Sequence, residues 1–156
     1  DKKNNIDVNE LRALFKKHHA LSSYRITEDQ LALLREALSK YVGTHHFHNF
    51  TAAKMKLSSA DSRSKRFIKS FECSTPFIDE KTGCQWVTLA VHGQSFLYNQ
   101  IRKMVAAVID VVRIRATPSH IQQYLLKNTQ LSSGVPVAPG VGLYLNQLDF
   151  PNQVYF

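Results

Sequence analysis

The chain has 156 residues, 44% of them hydrophobic and 21% charged, enough for one globular domain with a real core. No run of 18 apolar residues occurs, so no membrane span is expected, and two cysteines are too few for a disulfide framework. The net charge of +8 and the sequence pI of about 9.6 favour a polyanionic partner, of which nucleic acid is the commonest.

The N-terminal stretch DKKNNIDVNELRALF has neither a starting Met nor the apolar region of a secretory signal, which fits a fragment or a trimmed chain. Val8 to Lys17 reads as a helix with Val8, Leu11, Leu14 and Phe15 on one side. A second helix has a clearer start. Thr27 and Gln30 stand at capping-box spacing, and Leu31, Leu34, Leu38 and Tyr41 then recur at helical intervals up to Gly43. The segment THHFHNFT follows, with His45, His46 and His48 among Phe47 and Phe50. If it is extended, His46 and His48 share one face. A zinc site would need a fourth ligand that the distant Cys73 and Cys84 do not supply, so no metal is expected. Base or phosphate contacts by His45, His48 and Asn49 are one reading. A turn packed by Phe47 and Phe50 is the other.

Lys54, Lys56, Arg63, Lys65 and Arg66 surround a Ser-rich loop, which suits phosphate contact as well as plain solvation. In RFIKSFECSTPFI, Phe67, Phe71 and Cys73 roughly alternate with polar residues, the period of a half-buried strand. Asp79 to Gly83 is a turn, and Gln85 to His92 pairs back as an antiparallel strand that sets Cys73 and Cys84 either side of the hairpin. With no secretory signal, free buried thiols are expected.

Ser95 to Arg113 is the long helix, with Ser95 as N-cap. With Ile101 as the centre of the buried stripe, Leu97, Met104, Val105, Val108 and Val112 fall within about 60° of it. Arg102 then sits at the rim of the stripe, about 100° from its centre. Lys103 falls on the back, where solvent is expected. Periodicity alone favours a snorkelling arginine or a simple salt bridge at the rim. The functional alternative is a guanidinium that orients a carboxylate or phosphate through its planar fork. Thr117-Pro118 stops this helix and starts another, Ser119 to Lys127, and Gly142 to Phe150 reads as a last strand. The order describes a single α+β domain over residues 1–156, an antiparallel sheet with helices packed on one face.

No Walker A, GxGxxG or GxSxG sequence occurs, and RFIKSFECS lacks the glycine of an RNA-recognition motif. YVGTHHFHNFT (Tyr41 to Thr51), GQSFLYNQIRKM (Gly93 to Met104) and APGVGLYL (Ala138 to Leu145), however, resemble in order and spacing the TruA family of tRNA pseudouridine synthases. RSKRFIKSFE is similar to the segment that follows the first motif in eukaryotic members, and the wording is that of the eukaryotic branch. The resemblance implies isomerisation of uridine to pseudouridine in tRNA without a cofactor. The base is detached from the ribose, rotated and rejoined through carbon, and a catalytic aspartate does the sugar chemistry. It implies that Arg102 pairs with that aspartate and that Leu143 lies against the target base. It also implies that His45, His48, Asn49, Lys54, Lys56, Arg63 and Lys103 line the RNA side.

The family's GRTDxGVHA motif, which carries the aspartate, is absent from this chain. The resemblance therefore places these residues in the C-terminal half of a two-lobed catalytic domain whose N-terminal half is its partner. That half alone is expected to be inactive, and a nuclear location is expected, with mitochondrion or cytoplasm as alternatives. A non-catalytic RNA-binding module remains the alternative from another class.

Overall fold

The computed structural model describes residues 8–52, 55, 57–58, 60–114, 116–125 and 135–149. Helix α1 covers Val8–Ser23, running past the expected end at Lys17. The side chains of Val8, Leu11 and Phe15 lie outside the described set, and Leu14 is exposed. Helix α2 is Glu28–Ser39, and its N-terminus is built as the sequence predicts. The Thr27 hydroxyl accepts from the Gln30 amide at 3.2 Å and the Gln30 side chain accepts from the Thr27 amide at 3.0 Å, so two orphan donors are satisfied together. Leu31, Leu34, Ala37 and Leu38 of α2 are buried, as is Tyr41 beyond its end.

Strands β1 (Gly43–His46), β2 (Lys65–Cys73) and β5 (Leu89–Gly93) form an antiparallel sheet in the order β1-β2-β5. A separate two-stranded ribbon joins β3 (Phe77–Ile78) and β4 (Gln85–Trp86). The strand expected over Gln85 to His92 is therefore split, one part pairing across the Asp79 to Gly83 turn and the other with β2. Cys73 and Cys84 are both free and half-buried, less enclosed than expected.

The alternation predicted for β2 also needs correction. The register slips between Ile68 and Ser70, where Lys69 is the extra residue of a bulge. A bulge inverts the phase of a period-two pattern. Ile68 and Phe71 therefore both point into the core, while Phe67 is 45% exposed on the other face. Gly93, opposite Ile68, has to be a glycine, because a Cβ there would come within 2.9 Å of the Phe96 ring and 3.1 Å of both the Ile68 side chain and the Phe67 carbonyl.

Helix α2 packs on β2, and α3 (Gln100–Ile114) packs on α2. Helix α4 is Ser119–Leu125, and with α3 it closes on a short 3-10 turn, His48–Phe50. The expected extension of α4 to Lys127 lies outside the described residues. This is the α+β arrangement read from the sequence. At its centre are four aromatic rings. Tyr41 meets Phe50 edge-on at 5.4 Å, Phe71 at 5.9 Å and Phe47 at 6.4 Å, geometries that add to simple burial.

The last predicted strand is not one. Residues 143–149 pair with no strand among the described residues, and Phe150 lies outside them. Leu143, Tyr144, Leu145 and Leu148 are exposed. An apolar-rich segment becomes a strand only where a sheet edge receives it, and among the described residues none does. Among the described residues the segment reaches the sheet where Asp149 Oδ2 lies 3.3 Å from His92 Nε2 of β5. No helix among the described residues is long and apolar enough to cross a membrane.

Tyr41 gives the core a pH dependence. Its hydroxyl donates to the Met104 carbonyl at 3.3 Å, and burial pushes its pKa well above the ordinary tyrosine value of 10.0. The unfolded chain releases this proton first, so the stabilisation is complete below pH 10 and falls as the pH rises beyond it. Urea titrations between pH 8 and 11.5 should show Tyr41→Phe losing about 1 kcal/mol at pH 8 and declining less steeply than the parent at alkaline pH. Parallel decline of the two proteins would contradict this.

Candidate functional site

The three motifs converge on the first two turns of α3. The helix starts at Gln100, five residues later than expected, because Ser95 to Asn99 form an irregular approach. Gln100 is fully buried, and its side-chain oxygen accepts from the Leu97 amide at 2.8 Å. Asn99 holds a left-handed backbone, φ +62, a conformation asparagine tolerates better than most residues. The predicted helical phase was set partly by Leu97, which is not in the helix.

The stripe is displaced accordingly. Gln100, Lys103, Met104, Ala107, Val108 and Val111 face the core. Its centre lies about 90° from the expected one at Ile101. Gln100 and Lys103 are polar, so the pattern hid them. Ile101, Val105 and Val112 are only half-buried.

Lys103 is thus the opposite of what was expected. It is 8% exposed, and its ammonium donates to the carbonyls of Thr51 at 2.6 Å and Asn49 at 3.4 Å. Burial lowers its pKa below the usual lysine value. The ammonium serves as a clamp between α3 and the HNFT turn. Other bonds reinforce that clamp. The Thr51 hydroxyl donates to the Tyr98 carbonyl at 3.1 Å, and the Asn49 side chain donates to the Tyr124 carbonyl of α4 at 2.9 Å.

His48 and Asn49 are 7% and 8% exposed. Their ring and amide nitrogens meet at 3.1 Å inside this network. Both therefore act in the interior, and the extended geometry that would align His46 with His48 stops at His46. Phe47 and Phe50 are fully buried, so the packed-turn reading of this motif describes it best.

His45 is half-buried, with its Nε2 2.9 Å from the Val42 carbonyl and its ring edge-on to Phe47. Arg63 is exposed and paired with Asp61. Its Nε lies 3.1 Å from both carboxylate oxygens and its Nη2 lies 2.7 Å from Oδ2. The pairing holds the Asp61 carboxyl below its ordinary range and raises the Arg63 value. Lys54 and Lys56 lie outside the described residues.

Arg102 faces away from the core, and a second layer shelters it. The Ala138 amide donates to the Arg102 carbonyl at 3.2 Å, while Arg102 Nε donates to the Ala138 carbonyl at 2.7 Å. This reciprocal pair fixes both backbone and side chain. Nη1 donates to Asn99 Oδ1 at 3.3 Å. The guanidinium also lies about 3.8 Å from the place where a Gly140 Cβ would stand. Among the described residues no carboxylate is within ion-pair distance of it. Nε and Nη1 are engaged, and among the described residues no hydrogen-bond partner stands at Nη2.

Leu143 enters through the same turn. Its amide donates to the Gly140 carbonyl at 3.2 Å, and Gly142 at φ +88 allows the reversal. The residue is 49% exposed. Arg102 and Leu143, far apart in sequence, are therefore held by one short segment. Sequence reasoning missed Asn99, Gln100 and Ala138, whose roles depend on backbone geometry that residue types do not announce.

The sequence profile described as tRNA pseudouridine synthase matches residues 37–151. The chain belongs to the tRNA pseudouridine synthase family. It is 43% identical over 125 residues to tRNA pseudouridine synthase 1 of Schizosaccharomyces pombe, an overlap of 80% of this chain and 22% of that protein. It is 36% identical over 140 residues to tRNA pseudouridine synthase 1 of Yarrowia lipolytica, covering 90% of this chain and 25% of that one. To tRNA pseudouridine synthase 1 of Saccharomyces cerevisiae it is 35% identical over 145 residues, 89% of this chain and 26% of the relative. The chain thus spans about a quarter of the length of the curated relatives it matches.

The Lys103 clamp makes a direct prediction for this pseudouridine synthase domain. Lys103→Met keeps the volume but leaves two buried carbonyls without their donor, which should cost about 2–3 kcal/mol. The expected result is a lower urea midpoint at an unchanged denaturant slope. A midpoint equal to the parent's would show that the clamp is dispensable.

Proposed function

We propose that this chain is the part of a tRNA pseudouridine synthase catalytic domain that holds the catalytic aspartate in place. The aspartate itself comes from a portion of the longer protein outside this sequence. The observation that carries the reading is Arg102, a guanidinium immobilised at Nε and Nη1 and lacking a carboxylate among the described residues. A carboxylate received at Nη2 would be oriented by a rigid donor and kept ionised at neutral pH. It could then act at the ribose while the uracil is detached, turned and rejoined through carbon. Leu143, presented by the Gly140–Leu143 turn beside this arginine, would supply an apolar wall for the moving base. The reaction is an isomerisation and needs no co-reactant. The basic charge of the chain suits a tRNA substrate whose target nucleotide must be drawn out of its stack.

In the full-length protein, Arg102→Ala should lower the rate of pseudouridine formation by about 10²–10³-fold while tRNA affinity stays within a few-fold. Tritium release from uridine-labelled tRNA measures the first and filter binding the second. Near-parental turnover would remove Arg102 from the mechanism. The 156 residues alone should form no pseudouridine on bulk tRNA. Activity of the isolated chain would overturn the division between arginine and aspartate.

A second reading is an RNA-binding module without catalysis, which a full-length protein lacking GRTDxGVHA upstream of these residues would favour. Binding without turnover by the full-length protein would select it. The eukaryotic wording of the motifs and the yeast relatives support a nuclear location, which fluorescence microscopy of the tagged full-length protein checks; exclusion from the nucleus would refute it.

A further inference from the structure

Helix α1 lies outside the residues matched by the family profile, which begin at 37. Near its end Ser22 approaches Gly83, and just beyond it the Ile26 amide donates to Gln85 of β4 at 2.8 Å. The segment between Glu10 and Glu28 holds Arg12, Lys16, Lys17 and Arg25 and no acidic residue.

Arg12 and Lys16 share one face of the helix with His19 in the same row, whereas Lys17 falls toward the opposite face. At 100° per residue, Arg12, Lys16 and His19 fall within about 60° of one another, joined by Ser23 in the same row. The row spans roughly 16 Å at 1.5 Å per residue, and all four residues are exposed. Leu14 and Leu21, 60% and 55% exposed, project on the opposite face. A surface that covers these leucines leaves the cationic row turned outward.

We propose that Arg12, Lys16 and His19 form a phosphate-contacting ridge for the substrate RNA, a sequence-independent extension of the RNA-binding surface beyond the family's common core. The inference rests on the reading of the protein as an enzyme acting on tRNA. Its chemistry is charge complementarity. Three donors along one helical face, with no carboxylate between Glu10 and Glu28 to neutralise them, match a row of backbone phosphates and carry no base information. Long flexible stems suit a phosphate track, where geometry is loose and counterion release supplies the driving force.

The test uses the full-length protein and two tRNAs of different sequence. Affinity is measured by fluorescence anisotropy between 50 and 200 mM salt for the parent, for R12Q/K16Q and for the charge-preserving R12K/K16R. The neutralised variant should bind about tenfold more weakly at low salt. Its slope of log affinity against log salt should be shallower by about 1.5. The loss should be equal on both tRNAs, with turnover at saturating RNA unchanged. R12K/K16R should behave as the parent, which separates charge from helix packing. Parental affinity and slope in R12Q/K16Q overturn the ridge, as does a loss equally large in R12K/K16R. If the parent makes no pseudouridine but R12Q/K16Q still flattens its salt slope, the ridge stands and the enzymatic reading falls.

Discussion

The buried ammonium of Lys103 is the constraint on which the site depends. A charged group in an apolar setting is tolerated only when polar partners replace its water, and here the carbonyls of Asn49 and Thr51 do so. Those carbonyls belong to a turn whose aromatic residues, Phe47 and Phe50, are fixed in the core by Tyr41. One side chain therefore sets the rotation of α3 about its axis. With Lys103 inward, the next residue back, about 100° round the helix, turns Arg102 to the opposite layer, where the 135–140 segment receives it. Arg102 and Lys103, adjacent in the motif QIRK, do opposite things for that reason.

The motif HNFT changes meaning in this light. Read as types, a histidine, an asparagine and a phenylalanine look like groups for stacking on bases and bonding phosphates. In the fold they form a 3-10 turn whose polar atoms hold α3 and α4 and whose rings fill the core. Packing alone accounts for these bonds, because they fix the angle of α3 against the turn.

What was legible in the sequence follows from where local rules decide the outcome. The capping box at Thr27, the stripe of α2 and the existence of β2 and α3 were readable, since each depends on neighbours in the chain. The phase of β2 was not, because Lys69 adds a residue that no type-based pattern reveals. The phase of α3 was misjudged because its two most informative inward positions, Gln100 and Lys103, are polar. The strand expected from Gly142 was misread for a different reason. Its apolar content suits a strand, but pairing is a property of two segments, and the described residues contain only one. Arg102 and Leu143, both identified from motifs, are brought together by the Gly140 turn, a relation visible only in three dimensions.

The electrostatics of α3 add an argument from the helix itself. Its first turn contains no acidic residue, yet Arg102 and Lys103 sit within its first four positions. Cations at a helix N-terminus are unfavourable by about 0.3–1 kcal/mol each at the surface. Lys103 offsets this with backbone carbonyls, and Arg102 partly with Ala138 and Asn99. What the region lacks is an anion. A carboxylate arriving at Nη2 would meet the guanidinium and the positive end of the helix dipole together, so both would favour its ionised form. An arginine kept only to cover apolar surface would gain nothing from being clamped at two nitrogens. The cost of that clamping is understandable if the third nitrogen must meet a partner at a fixed place.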